Sequence, residues 1–424
     1  MQKTEILTTD FLKQIGTVDD IQAEAKKGSG LSEPVPFNTH IHLPPNFSAF
    51  ETVQQAVDLA AEQGVQVLGA GNYYNFSVYR EFAKATGQKN IFPMFGTEII
   101  ALEKDLQQEG VRINDPGNPG KYYICGKGIS DFEKLSDRAS QLLSLIRRND
   151  TQRMKEMTAK MAKVFSEHSI DTGMDDLAVI ARIVKRHGCS AEMVTLQERH
   201  LAQVFQEVFF EKIPATQRLQ KLTDLFGAIP KSSPYDAVGI QNEIRSYLMK
   251  AGKSCFVPET FVNLAQAKEL ILELGGVPCY PVLADGSKQR CEYETPLEKL
   301  IETLKTNHYT MVEFIPIRNQ PDVLAEYVKA IRRAGIVVVA GTEHNTLDLL
   351  PIEPTCADGK PIPQEINNIL WEGVCVLAAH AFLKSHQQSG FLEAEFDDPE
   401  EKIWHFSRLG QVVLARYFTK QSMK

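Results

Sequence analysis

The sequence predicts an α/β protein: a closed or nearly closed barrel into which an all-α domain is inserted. Three observations carry this expectation. Strand-like and helix-like stretches alternate between residues 35 and 130, the same alternation resumes after Pro258, and the residues between are strongly helical. Counting gives about seven strands in βα order, which suits a barrel better than an open sheet.

Residues 1–30 are polar and mixed, end in Lys26-Lys27-Gly28-Ser29-Gly30, and read as a helical arm with a linker. A short strand at 35–42 follows, stopped by Pro44-Pro45 because proline cannot donate to a ladder. In 49–63 the apolar residues Phe50, Val53, Ala56, Val57 and Ala60 fall at helical spacing, and Gly64 ends that helix. Residues 65–70 form a buried-type strand, 78–86 a second helix and 91–100 a third strand, a succession that predicts parallel pairing. Asn114-Asp115-Pro116-Gly117-Asn118-Pro119-Gly120 is dense in turn residues, with a strand at 121–125 behind it. Helices are then expected at 132–148, 153–166, 175–187, 195–210 and 216–226. The alternation resumes with helix 260–274, strand 275–283, helix 297–306, strand 309–316 and helix 323–334. Ile336-Val337-Val338-Val339-Ala340 is the most convincing buried strand in the chain. A long helix at 363–385 and a helical tail close the sequence. The expected division is an arm at 1–30, a discontinuous barrel at 31–130 and 255–390, a helical insertion at 131–254 and a tail at 391–424.

Composition narrows the function. The chain has 424 residues, 43% hydrophobic and 24% charged, as soluble globular proteins do. A net charge of −8 gives no basic field, so nucleic acid is not expected as a partner. No apolar run is read as approaching membrane-spanning length, and no membrane is expected as a partner. Residues 1–6 show no signal-peptide pattern. Seven scattered cysteines without a C-x-x-C pair read as reduced thiols in a cytoplasmic protein. Oligomeric state is not legible.

The chemistry lies at the strand ends. On a strand alternate side chains share a face, so His40 and His42 point the same way at the end of the first strand. Two imidazoles there are half of a first-row metal site. An isolated H-x-H is more often a chance pair. Here, however, the third strand carries Gly96-Thr97-Glu98 and the last leads into Gly341-Thr342-Glu343-His344-Asn345. Barrel enzymes place their working residues at such ends, and two imidazoles with two carboxylates over three ends make a ligand set.

In these motifs the sequence resembles the polymerase and histidinol phosphatase (PHP) domain hydrolases, over roughly residues 35–130 and 258–385. His40-Ile41-His42 matches the H-x-H strand that opens the family signature. Gly96-Thr97-Glu98 matches its G-x-E strand end, whose carboxylate bridges two metals in the family, and Gly341-Thr342-Glu343-His344-Asn345 looks like a variant of its late G-S-D-x-H turn. The resemblance implies a distorted (β/α)7 TIM-like barrel binding divalent metals at its C-terminal face, with the inserted all-α domain as an addition. The departures are informative. Gly71-Asn72-Tyr73-Tyr74-Asn75 stands where the family has T-D-H, though Asn72 offers an oxygen. Cys279-Tyr280-Pro281 stands where it has H-P, and Glu343 replaces an aspartate. These losses favour one or two ions (Mn, Zn or Fe) over three.

The ligands expected are therefore His40, His42, Glu98 and Glu343, with His344 as an addition. A cation so held would lower the pKa of a bound water and polarise a substrate oxygen. With few ions, cationic side chains must supply charge. Arg318, just past a strand end, is expected to clamp a phosphate or carboxylate, with Lys127 as a second anion contact and Tyr280 as an orienting group or acid. His380 reads as a satisfied core histidine on an apolar helix face. Glu198-Arg199-His200 reads as a solvated helical face unless the insertion covers the barrel mouth, where these residues would meet substrate. Neither a G-x-S-x-G elbow nor a strand followed by G-x-G-x-x-G occurs, against serine hydrolysis and dinucleotide binding. The expected function is metal-dependent hydrolysis of a phosphoester in a small anionic metabolite. The alternatives are an amidohydrolase-like hydrolase or sugar isomerase on a metal barrel, and a non-catalytic binding protein.

Overall fold

In the computed structural model, which describes residues 7–422, seven strands form one sheet in the order of the sequence. They are β1 (Phe37–Ile41), β2 (Val67–Ala70), β3 (Phe92–Leu102), β4 (Lys121–Lys127), β5 (Val277–Val282), β6 (Met311–Phe314) and β7 (Val337–Ala340). The turn after β7 then meets the end of β1. His42 N–H donates to the Glu343 carbonyl at 2.8 Å and Glu343 N–H to the His40 carbonyl at 2.9 Å. The sheet is thereby nearly closed into the expected α/β barrel.

One strand departs from the expected parallel pairing. β4 runs antiparallel to both β3 and β5, with Glu98 opposite Cys125 and Cys125 opposite Cys279. A parallel return needs a crossover element long enough to span the sheet face. The link from β3 to β4 holds only a five-residue helix and the Asn-Asp-Pro-Gly turns, so the chain doubles back as a wide hairpin.

The helices before the sheet's first turn are α1 (Asp10–Lys13) and α2 (Val18–Lys26); those within its first half are α3 (Val53–Glu62), α4 (Tyr79–Gln88) and α5 (Lys104–Gln108). Next come α6 (Asp137–Glu167), α7 (Asp176–His187), α8 (Glu198–Lys212), α9 (Arg218–Phe226) and α10 (Ala237–Ile244), the last running on as a π-turn over Arg245–Met249. The second half adds α11 (Leu264–Glu273), α12 (Leu297–Thr306), α13 (Pro321–Arg333), α14 (Gln364–Ser385) and α15 (Pro399–Ser422).

Helix α6 joins two helices that the sequence separates at 149–152. Nothing there breaks a helix: Asn149 reaches out to the Thr260 carbonyl at 2.8 Å, and Arg153 pairs with Glu198 at 2.7 Å. Its first half buries Leu142, Leu143 and Ile146 in the main core, and its second half buries Met154, Met157, Met161 and Phe165 in a second, smaller core. That second core is built with Phe205 and Phe209 of α8 and the buried faces of α7, α9 and α10. One rigid rod thus ties the helical block to the barrel.

The described part of the N-terminal arm is not a free appendage, nor is the tail. Leu12, Ile21 and Ala25 join the main core alongside Phe406, Val413 and Tyr417 of α15, and Arg416 pairs with Glu24 at 2.7 Å. Helix α14 corrects the reading that no run approaches membrane-spanning length, since it is long and apolar enough to cross a bilayer. Its most apolar window is 72% buried inside the fold, which is the setting of a core helix in a soluble protein. His380 on this helix is a satisfied core histidine: Nδ1 accepts from Phe391 N–H at 3.0 Å, and Nε2–H donates to the Gly275 carbonyl at 2.9 Å.

Two outcomes follow. A Cβ at Gly410 of α15 would lie 1.8 Å from the Cys375 carbonyl oxygen, whereas one at Gly87 of α4 would meet nothing within 4 Å. Gly87→Ala should raise stability by about 0.5–1 kcal/mol. Gly410→Ala should lower it by roughly 1–3 kcal/mol or more, both read by denaturant unfolding. Burial pushes His380 down to about 4, so its contribution is fully present above the unfolded value near 6.5 and is lost as pH falls toward 4. The stability of His380→Gln, lower throughout, should therefore fall less steeply than wild type between those pH values, by on the order of 3 kcal/mol over the window.

Candidate metal centre

β1 delivers both imidazoles to the barrel mouth, where they are fully buried with ring centroids 5.1 Å apart. Glu98 arrives from β3. Its Oε2 lies 3.1 Å from His42 Nε2 and 3.5 Å from His40 Nε2, and one ligand atom from each of the three lies within 4.8 Å of the others. The Tyr73 hydroxyl donates to the second carboxylate oxygen, Oε1, and the Tyr73 ring stacks on His42 at 5.1 Å. Burial and the Glu98 charge push the Tyr73 phenol well up, so it remains a donor.

Behind His40 stands Glu313 of β6, a carboxylate that the sequence reading passed over. Its Oε2 accepts from His40 Nδ1 at 2.8 Å, and its other oxygen pairs with Lys127 of β4, whose ammonium also reaches the Thr39 carbonyl at 3.2 Å. Burial opposes ionisation of Glu313, but Lys127 and His40 outweigh it and bring the carboxyl down to about 2. Nδ1 of His40 is turned to Glu313, and its Nε2 faces Glu98 at 3.5 Å. That nitrogen has no hydrogen-bond partner among the described residues. A buried, partnerless nitrogen beside a carboxylate oxygen and a second imidazole is a donor set that fits a divalent cation. The carboxylate–histidine relay behind it is the usual support for such a ligand. His42 Nδ1 has no such support.

Glu343 faces the same mouth but stands outside that group. Its carboxylate is bound by the Arg318 guanidinium, one contact at 3.1 Å, and by Asn345 at 2.7 Å. Burial raises its carboxyl, and Arg318 followed by His40 and His42 lowers it further, leaving it below the ordinary range.

Besides Glu343, four expectations need correction. His344 is not directed at the centre: Nδ1 contacts Thr342 Oγ1 at 2.6 Å, Nε2 contacts the Leu350 carbonyl at 2.9 Å, and the ring stacks on Phe50. The cause is the backbone, since Glu343 and His344 both adopt positive φ (61° and 50°) and the simple alternation of side chains fails there. Lys127 is not an anion contact but the counter-ion of Glu313, behind the ligands. Tyr280 lies on the opposite face of β5 from Cys279, edge-on to Tyr122, donating to Glu294 at 2.9 Å. The Asn72 oxygen is taken by Leu43 N–H at 2.8 Å.

The second group of metal-type residues, His40, Cys125 and Glu313, shares His40 with the first. Lys127 already occupies its carboxylate, so it acts as support.

The mouth opens into a chamber of about 340 Å³ lined by Glu98, Tyr73, Arg318 and Glu343 from the barrel. The helical block roofs it. Gln197 fixes Phe47 N–H at 2.7 Å, Asn75 reaches the Glu192 carbonyl at 3.1 Å, and Asp150, Arg153, Glu198, Arg199, Arg245 and Lys250 face inward. Glu198 and Arg199 therefore lie where the sequence allowed them under a covering insertion. Glu198 holds Arg153 at 2.7 Å and Lys250 at 3.3 Å.

No protein-family model and no curated protein sequence matches the chain. Among solved structures it is similar to a provisionally assigned metal-dependent phosphoesterase from Bifidobacterium adolescentis, at 15% identity and a TM-score of 0.52, over 81% of this chain and 97% of that one. A second similar structure is an amidohydrolase from Chromobacterium violaceum with bound sulfate and no metal, at 18% identity and a TM-score of 0.48, over 79% and 96% of the two chains. The first likeness shows that the barrel architecture is shared across nearly the whole of that protein.

The Lys127–Glu313 pair yields a direct test. Lys127→Met leaves a buried carboxylate without its ammonium partner, held only by His40, Thr39 and Cys125, and should cost about 3–5 kcal/mol. Lys127→Met with Glu313→Gln should recover most of that loss, the coupling being read from a double-mutant cycle of unfolding free energies.

Proposed function

We propose that this chain is a metal-dependent hydrolase of the PHP type, a phosphoesterase acting on a small anionic metabolite. One observation carries the reading. His40 Nε2, His42 Nε2 and a Glu98 oxygen converge in a buried cluster whose Glu98 also lines the chamber, and His40 Nε2 has no hydrogen-bond partner among the described residues. His40, His42 and Glu98 are the residues that would hold one divalent ion, by donor type Mn, Zn or Fe. Such an ion supplies a water nucleophile at neutral pH and polarises the ester oxygen.

The chain's own residues do the rest. Glu313 holds the His40 proton on Nδ1 and so keeps Nε2 free. Tyr73 ties down Oε1 of Glu98, leaving Oε2 turned to the imidazoles. Arg318 offers a planar fork to a phosphate at the rim, where the incoming anion competes with Glu343 for the same donors. The helical roof narrows the chamber's access to solvent, which strengthens each of these contacts. A chamber of about 340 Å³ suits a metabolite rather than a polymer. A cytoplasmic setting belongs to the same reading, supported by seven cysteines that are all free thiols.

Protein purified without added metal should carry bound divalent ion by elemental analysis and turn over phosphomonoesters supplied with Mn, Zn or Fe. His42→Ala should lose ion and turnover together, whereas Glu313→Gln should weaken metal affinity by about 10–100-fold. Turnover that survives chelation, or equal metal content in wild type and His42→Ala, rules the reading out. Metal bound without hydrolysis of any ester would make the chain a binding protein.

A further inference from the structure

The roof holds a cation that the fold leaves unanswered. Arg199, in the first turn of α8, lines the chamber, yet among the described residues it has no hydrogen bond and no ion pair. Its guanidinium carbon lies 5.9 Å from the centre of the Phe47 ring. Beside it is Arg245, whose Nε is buried without a partner and whose NH2 lies 3.5 Å from Glu198. Glu198 cannot answer both, since it is already shared by Arg153, Lys250 and Arg245. Burial first, and then Arg245, push Arg199 down to about 10, which is the effect of two like charges crowded in a shielded recess.

An ordinary solvated arginine would turn outward or find a carboxylate, because an unpaired charge withdrawn from water is costly. Arg199, half-buried, turns to the chamber without a carboxylate partner among the described residues. The same two arginines also line a small recess that adjoins the chamber beside Phe47 and Gln241. A planar fork and an adjacent free N–H matched to one oxyanion would relieve both the repulsion and the unmet donor.

We propose that Arg199 and Arg245 form an oxyanion subsite in the helical roof, which takes a second phosphate or carboxylate group of the substrate, away from the reacting end at His40, His42 and Glu98. The proposal rests on the reading of the chamber as a substrate site, but needs no metal. The substrate would then carry anionic groups at both ends, one for the barrel and one for the roof.

Calorimetric titration of the full chain, stripped of metal with chelator, by inorganic phosphate and separately by acetate tests this. Saturable binding is expected, weakened about tenfold or more in Arg199→Gln and in Arg245→Gln, and less in Arg199→Lys, which keeps charge but not the fork. Circular dichroism establishes that each variant is folded. Tighter binding of phosphate assigns a phosphate group to the subsite, and tighter binding of acetate assigns a carboxylate. Equal affinity in wild type and both glutamine variants overturns the proposal, as does the absence of saturable binding by either anion. Because the readout needs no ion, a protein that holds no metal still reports on the subsite. An active, metal-loaded enzyme whose Arg199→Gln variant binds phosphate as wild type does defeats the subsite alone.

Discussion

The centre depends on one buried carboxylate. Glu313 sits in the middle of an otherwise apolar strand, fully shielded from water, and such a charge is tolerable only when paired and hydrogen-bonded. Lys127 supplies the charge and His40 the hydrogen bond, from two different strands. The arrangement fixes more than stability. It draws β4 and β6 together around β1, holds Nδ1 of His40 and aims Nε2 at Glu98. Gly71 and Gly341 complete the seat, since a Cβ at either position would collide with His40 at about 2.5 Å. A ring so wedged has one orientation, which a metal ligand requires.

The antiparallel β4 belongs to the same logic. Alternation along this strand puts Lys121, Tyr123, Cys125 and Lys127 on the inner side and Tyr122 with Ile124 on the outer. The inner residues then serve two different neighbours: Lys127 meets Glu313, Cys125 approaches it at 3.6 Å, and Lys121 pairs with Glu259 at 3.2 Å near the roof. A single strand therefore runs from behind the ligands to the far wall of the chamber.

Much of this was legible in the sequence. All seven strands were, because apolar β-rich runs separated by amphipathic helices are the strongest local signal a buried sheet gives. His40, His42 and Glu98 were grouped because they share strand ends, and the fold places them side by side. The failures have specific causes. Extrapolating regular alternation past the last strand misplaced His344, where two consecutive left-handed residues turn the chain. Lys127 and Tyr280 were assigned to the chamber by position along a strand, although one points behind the ligands and the other to the outer face. Strand direction was missed because turn-rich links do not declare whether the chain crosses over or doubles back. Glu313 did leave a signal, a lone carboxylate in Met311-Val312-Glu313-Phe314. A buried acid demands a buried base, and Lys127 on a strand of its own was the candidate.

The helical roof gives the molecule its electrostatic character at the mouth. The chain as a whole is acidic, at −8, and its outer field disfavours an anion. Inside the chamber the balance differs, because Lys121, Arg153, Arg199, Arg245, Lys250 and Arg318 converge where Asp150 is pushed up to about 7 by burial and so contributes little negative charge near neutral pH. Most of these cations neutralise a carboxylate in the same wall, as Arg318 does with Glu343 and Arg153 with Glu198. What distinguishes Arg199 is that no carboxylate among the described residues pairs with it. Six cations face five carboxylates across the chamber, Asp150 among the latter, and four of the cations (Arg153, Arg199, Arg245 and Lys250) come from the roof. The barrel supplies ligand atoms for an ion, and the inserted helices supply the surplus charge. Neither half of the chain contains both.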